Sequence, residues 1–402
     1  MTTPVNLASR GLGAAVLAAN DEFFVAKENL IHDGPARHDG GSGPRGALYD
    51  GWETRRRRDG GTDWVIVRLA VPGIISAVVV DTAYFTGNYP AAVSVDAGTF
   101  DPGEPWDTEQ GWREIVDRSP CQGDTANQYT VSDDTIATHV RLRIHPDGGV
   151  ARLRVLGDVV LDPRSVSEYF DSAALLSGAT VTEVSDGFYS PPDNTLRPGL
   201  AGATKDGWET RRRRDDGHDW MVIKLGAACH PVLAEIDTTH FIGNAPDACS
   251  LEIADRDPRT DGDWTTVLPR TPLEGDRRQR FVLPSGTHAR YLRVHIHPDG
   301  GLARLRLESW LSPSGRADLL IRWLRHCPEP FLRAWCAAKG VSAEGTERLT
   351  AVRRDLSVVA TDVAGVWAAA GLDPADAGLL EDLVFPTLAH RSAISPASSS
   401  RR

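Results

Sequence analysis

In "DWVIVRLAV" (63–71), Val65, Val67 and Leu69 fall on one side of an extended chain, while Ile66 and Arg68 fall on the other. "HVRLRIH" (139–145) likewise sets Val140, Leu142 and Ile144 against Arg141, Arg143 and His145. Period-two alternation of this kind is the mark of a half-buried strand. Turn-forming clusters such as "TGNYP", "PDGG" and "DGDW" separate these runs, and no amphipathic helix of useful length interrupts them. The pattern changes after "SPSG" (312–315). "ADLLIRWLRHC" (317–327) reads as a helix, and Leu349, Val352, Leu356, Val359, Val363, Val366 and Ala370 step by three and four. That second pattern predicts one long amphipathic helix stopping at Gly371.

The strand-rich part is written twice. Asp21, Phe24 and Asn29 match Asp186, Tyr189 and Asn194 at an offset of 165. "DGWETRRRRDGGTDW" (50–64) matches "DGWETRRRRDDGHDW" (206–220) at 156, as "DTAYFTGNYP" (81–90) matches "DTTHFIGNAP" (237–246). "RLRIHPDGGVARLR" (141–154) matches "RVHIHPDGGLARLR" (293–306) at 152. Offsets that shrink between matching blocks place the length changes in loops, whose closure cost rises slowly with length. Many short strands in a unit of this size predict an all-β fold: two tandem jelly-roll or β-sandwich domains at 1–162 and 163–312. A helical appendage follows at 313–390, and 391–402 reads as a disordered tail.

Composition narrows the function. The 402 residues are 41% hydrophobic, typical of a chain with real cores. The formal net charge is -11, with arginines interleaved among acids, which argues against a nucleic-acid partner. Five cysteines with no CxxC pair read as free thiols in a reducing, cytoplasmic setting. The apolar run after Arg10 resembles a weak leader, but its counterpart "LSGATVTEVSDGFY" (176–189) lies inside the chain and marks both as domain elements. No run approaches the length needed to span a bilayer, so neither membrane nor nucleic acid is an expected partner.

The repeated blocks carry candidate chemistry. An exposed strand whose arginines pair with nearby acids accounts for a charge run; the planar guanidinium fork also suits a small carboxylate. "HPDGG" fits a tight turn, and it also sets His145 and His297 at strand ends where an imidazole can exchange protons. His218 stands where the first copy has Thr62, so the copies are not chemically equal. Asn88 and Asn244 lie in "GNxP" turns, as turn residues or as ligand-facing amides. Asp81 and Asp237 are open to pairing with arginine or to acting as a base.

"NDEFFVAKENL", the arginine blocks with their "DW", "DTAYFTGNYP" and "HPDGGVAR" together resemble the signature blocks of the allantoicase family, over residues 1–310 and in both copies. The resemblance implies a pair of galactose-binding-type jelly rolls that hydrolyse allantoate to ureidoglycolate and urea in purine degradation. It also implies a homo-oligomer. Family members commonly carry His before the "DW", where this chain has Thr62 in its first copy. On that resemblance Arg55, Arg211, Arg152 and Arg304 are the expected carboxylate anchors, with Asn88, Asn244, Asp81 and Asp237 binding the rest of the substrate. Glu53 or Glu209 would activate water or assist departure of urea, and His145, His297 or His218 would move protons. No cofactor is required by this scheme, with divalent-ion dependence as the alternative. The rival function is a noncatalytic tandem module of the same fold that binds carbohydrate or another small ligand.

Overall fold

The computed structural model describes residues 4–38, 40–43, 46–47, 49–257, 263–356, 360–381 and 384–385. The chain divides into two compact units, 1–160 with 326–331, and 161–325 with 332–402. The tail expected at 391–402 lies outside the described residues.

Each unit is an antiparallel eight-stranded sheet organised on one very long strand. In the first unit this is Asp63–Asp81, whose alternating pattern is the one read from the sequence. Its first half pairs with Ile136–His145 and with Ala15–Ala19. Its second half pairs with Arg152–Val159 and with Ala126–Thr130. The exchange of partners falls around Pro72 and Gly73, where a Cβ on Gly73 would stand 2.7 Å from the Asp158 carbonyl oxygen. Only glycine admits that approach. The strand thereby serves both faces of a sandwich, with Val65, Val67, Val78 and Val80 fully buried. In the second unit Asp219–Asp237 takes the same place, pairing with Thr180–Val184, Arg278–Val282, Ala289–His297 and Arg304–Leu311. The leader-like run thus holds a strand, Ala15–Ala19, with its counterpart in Thr180–Val184.

A two-residue ladder at one end of each sandwich positions the repeated motifs. Trp52–Glu53 pairs with Gly149–Val150, and Trp208–Glu209 with Gly301–Leu302. The ladder joins the arginine block to the "HPDGG" turn although they are far apart in sequence. The glycines are required: a Cβ on Gly149 or Gly301 would stand 2.0 or 1.9 Å from the ring of Phe85 or Phe241. Both His–Pro bonds at these turns are cis.

Apart from residues 326–331, which cluster with the first unit, the C-terminal helices fall in the second unit. Pro313–His326 packs Leu320, Trp323 and Leu324 inward, and Trp323 meets Trp335 of Glu329–Ala338 edge to face. The single long helix expected through Leu349 and Ala370 is instead two, Ala343–Val352 and Val363–Ala369. Asp362 adopts an extended backbone and accepts from the Gly365 amide, capping a new helix where the periodic pattern alone would continue the old one. Val359 lies outside the described residues. Two further helices, Glu329–Ala338 and Pro374–Glu381, are not expected from the pattern, because prolines at their starts read as breakers although a first helical turn accommodates them.

Candidate active site

The arginine blocks are extended segments held against neighbouring loops by a repeated set of bonds. Buried Trp52 and Trp208 donate from their indoles to the carbonyls of Asp21 and Asp186, each at 2.7 Å. Those aspartates turn their carboxylates outward to the arginine that follows. Asp21 accepts from Arg55 Nε at 2.6 Å, and Asp186 from Arg211 Nε at 2.8 Å. Burial opposes ionisation of each aspartate, yet backbone amides and the guanidinium outweigh it and hold both carboxyls below their ordinary range. Arg55 and Arg211 remain about two-thirds exposed, with side-chain exposures of 65% and 64%. Each guanidinium also lies over an aromatic ring, Phe23 or Phe188. A single aspartate engages one edge of the fork and leaves the other toward solvent.

Two residues before each of these arginines, Glu53 accepts from Asn88 Nδ2 at 2.7 Å, and Glu209 from Asn244 Nδ2 at 2.8 Å. The backbone carbonyls of Asn88 and Asn244 also accept the amides of Gly149 and Gly301, so the "GNxP" turn, the arginine block and the "HPDGG" turn meet at one place. Burial raises the Glu53 carboxyl above its ordinary value, opposed by the Asn88 bond. In the first unit a cavity of about 490 Å³ opens beside the arginine block, lined by Asn20, Asp21, the arginines 55–58, Asp59 and Asp63.

The remaining expected residues are placed differently. Arg152 and Arg304 are buried, 2% and 5% exposed. Arg152 donates to the carbonyls of Gly34, Pro35 and Asp50, and Arg304 to those of Asn194, Gly199, Leu200 and Asp206. These guanidinium groups brace loops instead of facing a cleft. Asp81 and Asp237 accept the amides of Ala83 and Thr239, closing turns. Both ring nitrogens of His145 are engaged, by Thr62 Oγ1 at 3.3 Å and Ser94 Oγ at 3.0 Å. His297 meets Ser250 Oγ at 3.2 Å; burial, then the neighbouring His218, Arg270 and His295, push its pKa down to about 4. A histidine so depressed is neutral at physiological pH.

His218 brings with it residues that sequence reasoning misses. Its Nε2 lies 2.8 Å from Nδ1 of His295, whose Nε2 lies 2.8 Å from Oε2 of Glu252. Arg293 Nε also reaches Glu252, at 2.7 Å, from beneath the Trp264 ring. Glu183, His218, Trp220, Val222, Trp264, Arg293 and His295 line a cavity of about 370 Å³. The corresponding carboxylate of the first unit, Asp96, takes Arg141 at 2.9 Å and Arg143 at 3.1 Å, so an ion pair stands where the second unit has imidazoles. The signal for His295 lies in the mismatch of "RIHPDGG" with "HIHPDGG", on the same strand face as His297. Asp63 and Asp219, the acids of the repeated "DW", are 2% and 1% exposed and hold Arg57 and Arg213. Among the described residues no group of three or more His, Cys, Asp or Glu is arranged to hold a metal ion.

Comparison with known proteins places this architecture. The family model described as the allantoicase repeat matches twice, at residues 5–160 and 170–310. A probable allantoicase of Streptomyces coelicolor is 45% identical over 338 residues, spanning 80% of this chain and 89% of that protein. One from Nocardia farcinica is 47% identical over 309 residues, spanning 75% and 93%. Among solved structures, the crystal structure of allantoicase from Saccharomyces cerevisiae is 31% identical with a TM-score of 0.66, covering 76% of this chain and 93% of that one. The two matched segments coincide with the two sandwiches, and the chain belongs to the allantoicase family.

Proposed function

We propose that this chain hydrolyses allantoate to ureidoglycolate and urea, as its family does. The observation that carries the structural side of this reading is the duplicated Glu–Asn pair, 2.7 and 2.8 Å long, two residues from an exposed arginine. Allantoate bears one carboxylate and two ureido groups on a single carbon, so its recognition is chiefly a problem of hydrogen bonding. Arg55 and Arg211 offer the free edge of a fork to the carboxylate. Asn88 and Asn244 keep Glu53 and Glu209 pointed at a fixed spot, where a carboxylate can orient water or receive the NH groups of a ureido arm.

Hydrolysis requires that the central carbon gain a hydroxyl oxygen from water while one carbon–nitrogen bond breaks. The ureido nitrogen leaves with the bonding electron pair and must acquire a proton, since the anion is a poor leaving group. One proton lost by water and one gained by the departing nitrogen balance the reaction. None of these steps calls on a metal, and dialysis against a chelator is expected to leave turnover intact. The direct test is incubation of the purified protein with allantoate, with urea and ureidoglycolate measured together. Equal formation of both is expected; tight binding of a sugar without urea release would favour the rival reading.

A further inference from the structure

We propose that Glu252, His295 and His218 form a proton relay in the second unit that makes His218 Nδ1 the acid–base group of the reaction, a catalytic role the first unit lacks. The inference rests on the allantoate-hydrolysis reading and names the group that carries its proton transfer. A carboxylate only accepts, so His295 must present Nε2–H to Glu252 across their 2.8 Å contact. In the neutral ring Nδ1 of His295 is then an acceptor, which requires His218 to carry its proton on Nε2 across the next 2.8 Å. Nδ1 of His218 is left with its lone pair, and no hydrogen bond to it is found among the described residues. The chain of bonds thus selects the tautomer, the arrangement by which a carboxylate orients a catalytic imidazole elsewhere.

The surroundings suit this task. His218 is partly exposed and lines the 370 Å³ cavity together with Trp220 and Trp264. Burial lowers the His218 pKa, followed by the proximity of His295, Arg213 and Arg270, with Asp219 acting in the opposite sense; His297 faces it ring to ring at 4.5 Å. The ring is therefore neutral and able to accept at neutral pH. Burial opposes ionisation of Glu252, but His295 and Arg293 outweigh it and keep its carboxyl below the ordinary range. In a single displacement the oxygen of water bonds to the central carbon as the carbon–nitrogen bond breaks, and His218 Nδ1 takes the proton that the water gives up. The imidazolium, stabilised through His295 by Glu252, returns that proton to the ureido nitrogen that departs with the electron pair. In the first unit Thr62 and Arg143 occupy the positions of His218 and His295, and neither a hydroxyl nor a guanidinium exchanges protons near neutral pH.

The experiment compares wild type, His218→Ala, His218→Gln and Glu252→Gln in urea release from allantoate between about pH 5 and 8, where imidazole titrates. Both His218 variants are expected to lose on the order of 100-fold or more in kcat with KM changed only a few-fold, and added imidazole should restore part of the His218→Ala loss. Glu252 is a positioning residue, so Glu252→Gln should move the acidic limb of the kcat profile to lower pH while retaining a measurable rate. Long-range nitrogen–proton NMR of wild type should show both His218 and His295 protonated at Nε2. Wild-type kcat in folded His218→Ala, with wild type releasing urea, overturns the relay and leaves the hydrolase reading standing. If wild type releases no urea, the hydrolase reading fails, and with it the role of the relay in this reaction; a His295 ring protonated at Nδ1 overturns the relay whatever the activity.

Discussion

Individual side chains separate arginines that face solvent from arginines that brace loops. Arg211 and Arg304 are equal candidates on sequence, yet one is 64% exposed at the side chain and the other buried against five backbone carbonyls. Arg211→Lys replaces a planar fork by a point charge, and KM for allantoate is expected to rise about tenfold with the melting temperature unchanged. Arg304→Met should instead cost on the order of 3 kcal/mol of stability, read as a lower melting temperature, because the loop carbonyls lose their donor. The depressed histidines give a pH dependence. His297 by burial and the neighbouring His218, and His139 by burial and Arg68, are lowered from 6.5 to about 4. Between these values the unfolded chain takes up protons that the fold refuses, so stability falls as pH drops from 6.5 toward 4. Above 6.5 these two groups contribute no slope, and a series of thermal melts across that range checks the sign.

At the scale of elements, two-residue ladders hold the arginine block against the "HPDGG" turn in each unit. Gly301 pairs with Glu209 and lies against Phe241, and a methyl group there has no room. Gly301→Ala is expected to lose about 1–3 kcal/mol and to lower kcat further by displacing Glu209 from Asn244. Gly315, in the first turn of the Pro313–His326 helix, would place a Cβ 2.1 Å from the Ala228 carbonyl. Gly315→Ala should therefore lower the melting temperature by a similar free energy while leaving KM and kcat of the folded protein at wild-type values. The strands of both sandwiches are legible because alternation survives in sequence whenever one face is buried. The helices are legible only in part: caps such as Asp362 and initial prolines act through backbone geometry, which a periodic pattern does not contain.

For the whole molecule the duplication preserves the paired contacts of the arginine blocks and changes the residues around Asp96 and Glu252. Both units present an Asp–Arg pair and a Glu–Asn pair at matching distances, so calorimetry with an unreactive allantoate analogue is expected to find two sites per chain. A single site would instead assign recognition to one repeat.

The sequence by itself determined the all-β class, the two repeats and the residue types at the site, because buried faces and recurring blocks are properties of the linear chain. Only the tertiary structure decided which arginines brace loops and which face solvent. It also decided that Glu252, distant in sequence, meets His295, which in turn meets His218. Burial and the direction of a hydrogen bond depend on what neighbouring strands bring alongside, and strand pairing sets those neighbours in space rather than along the chain.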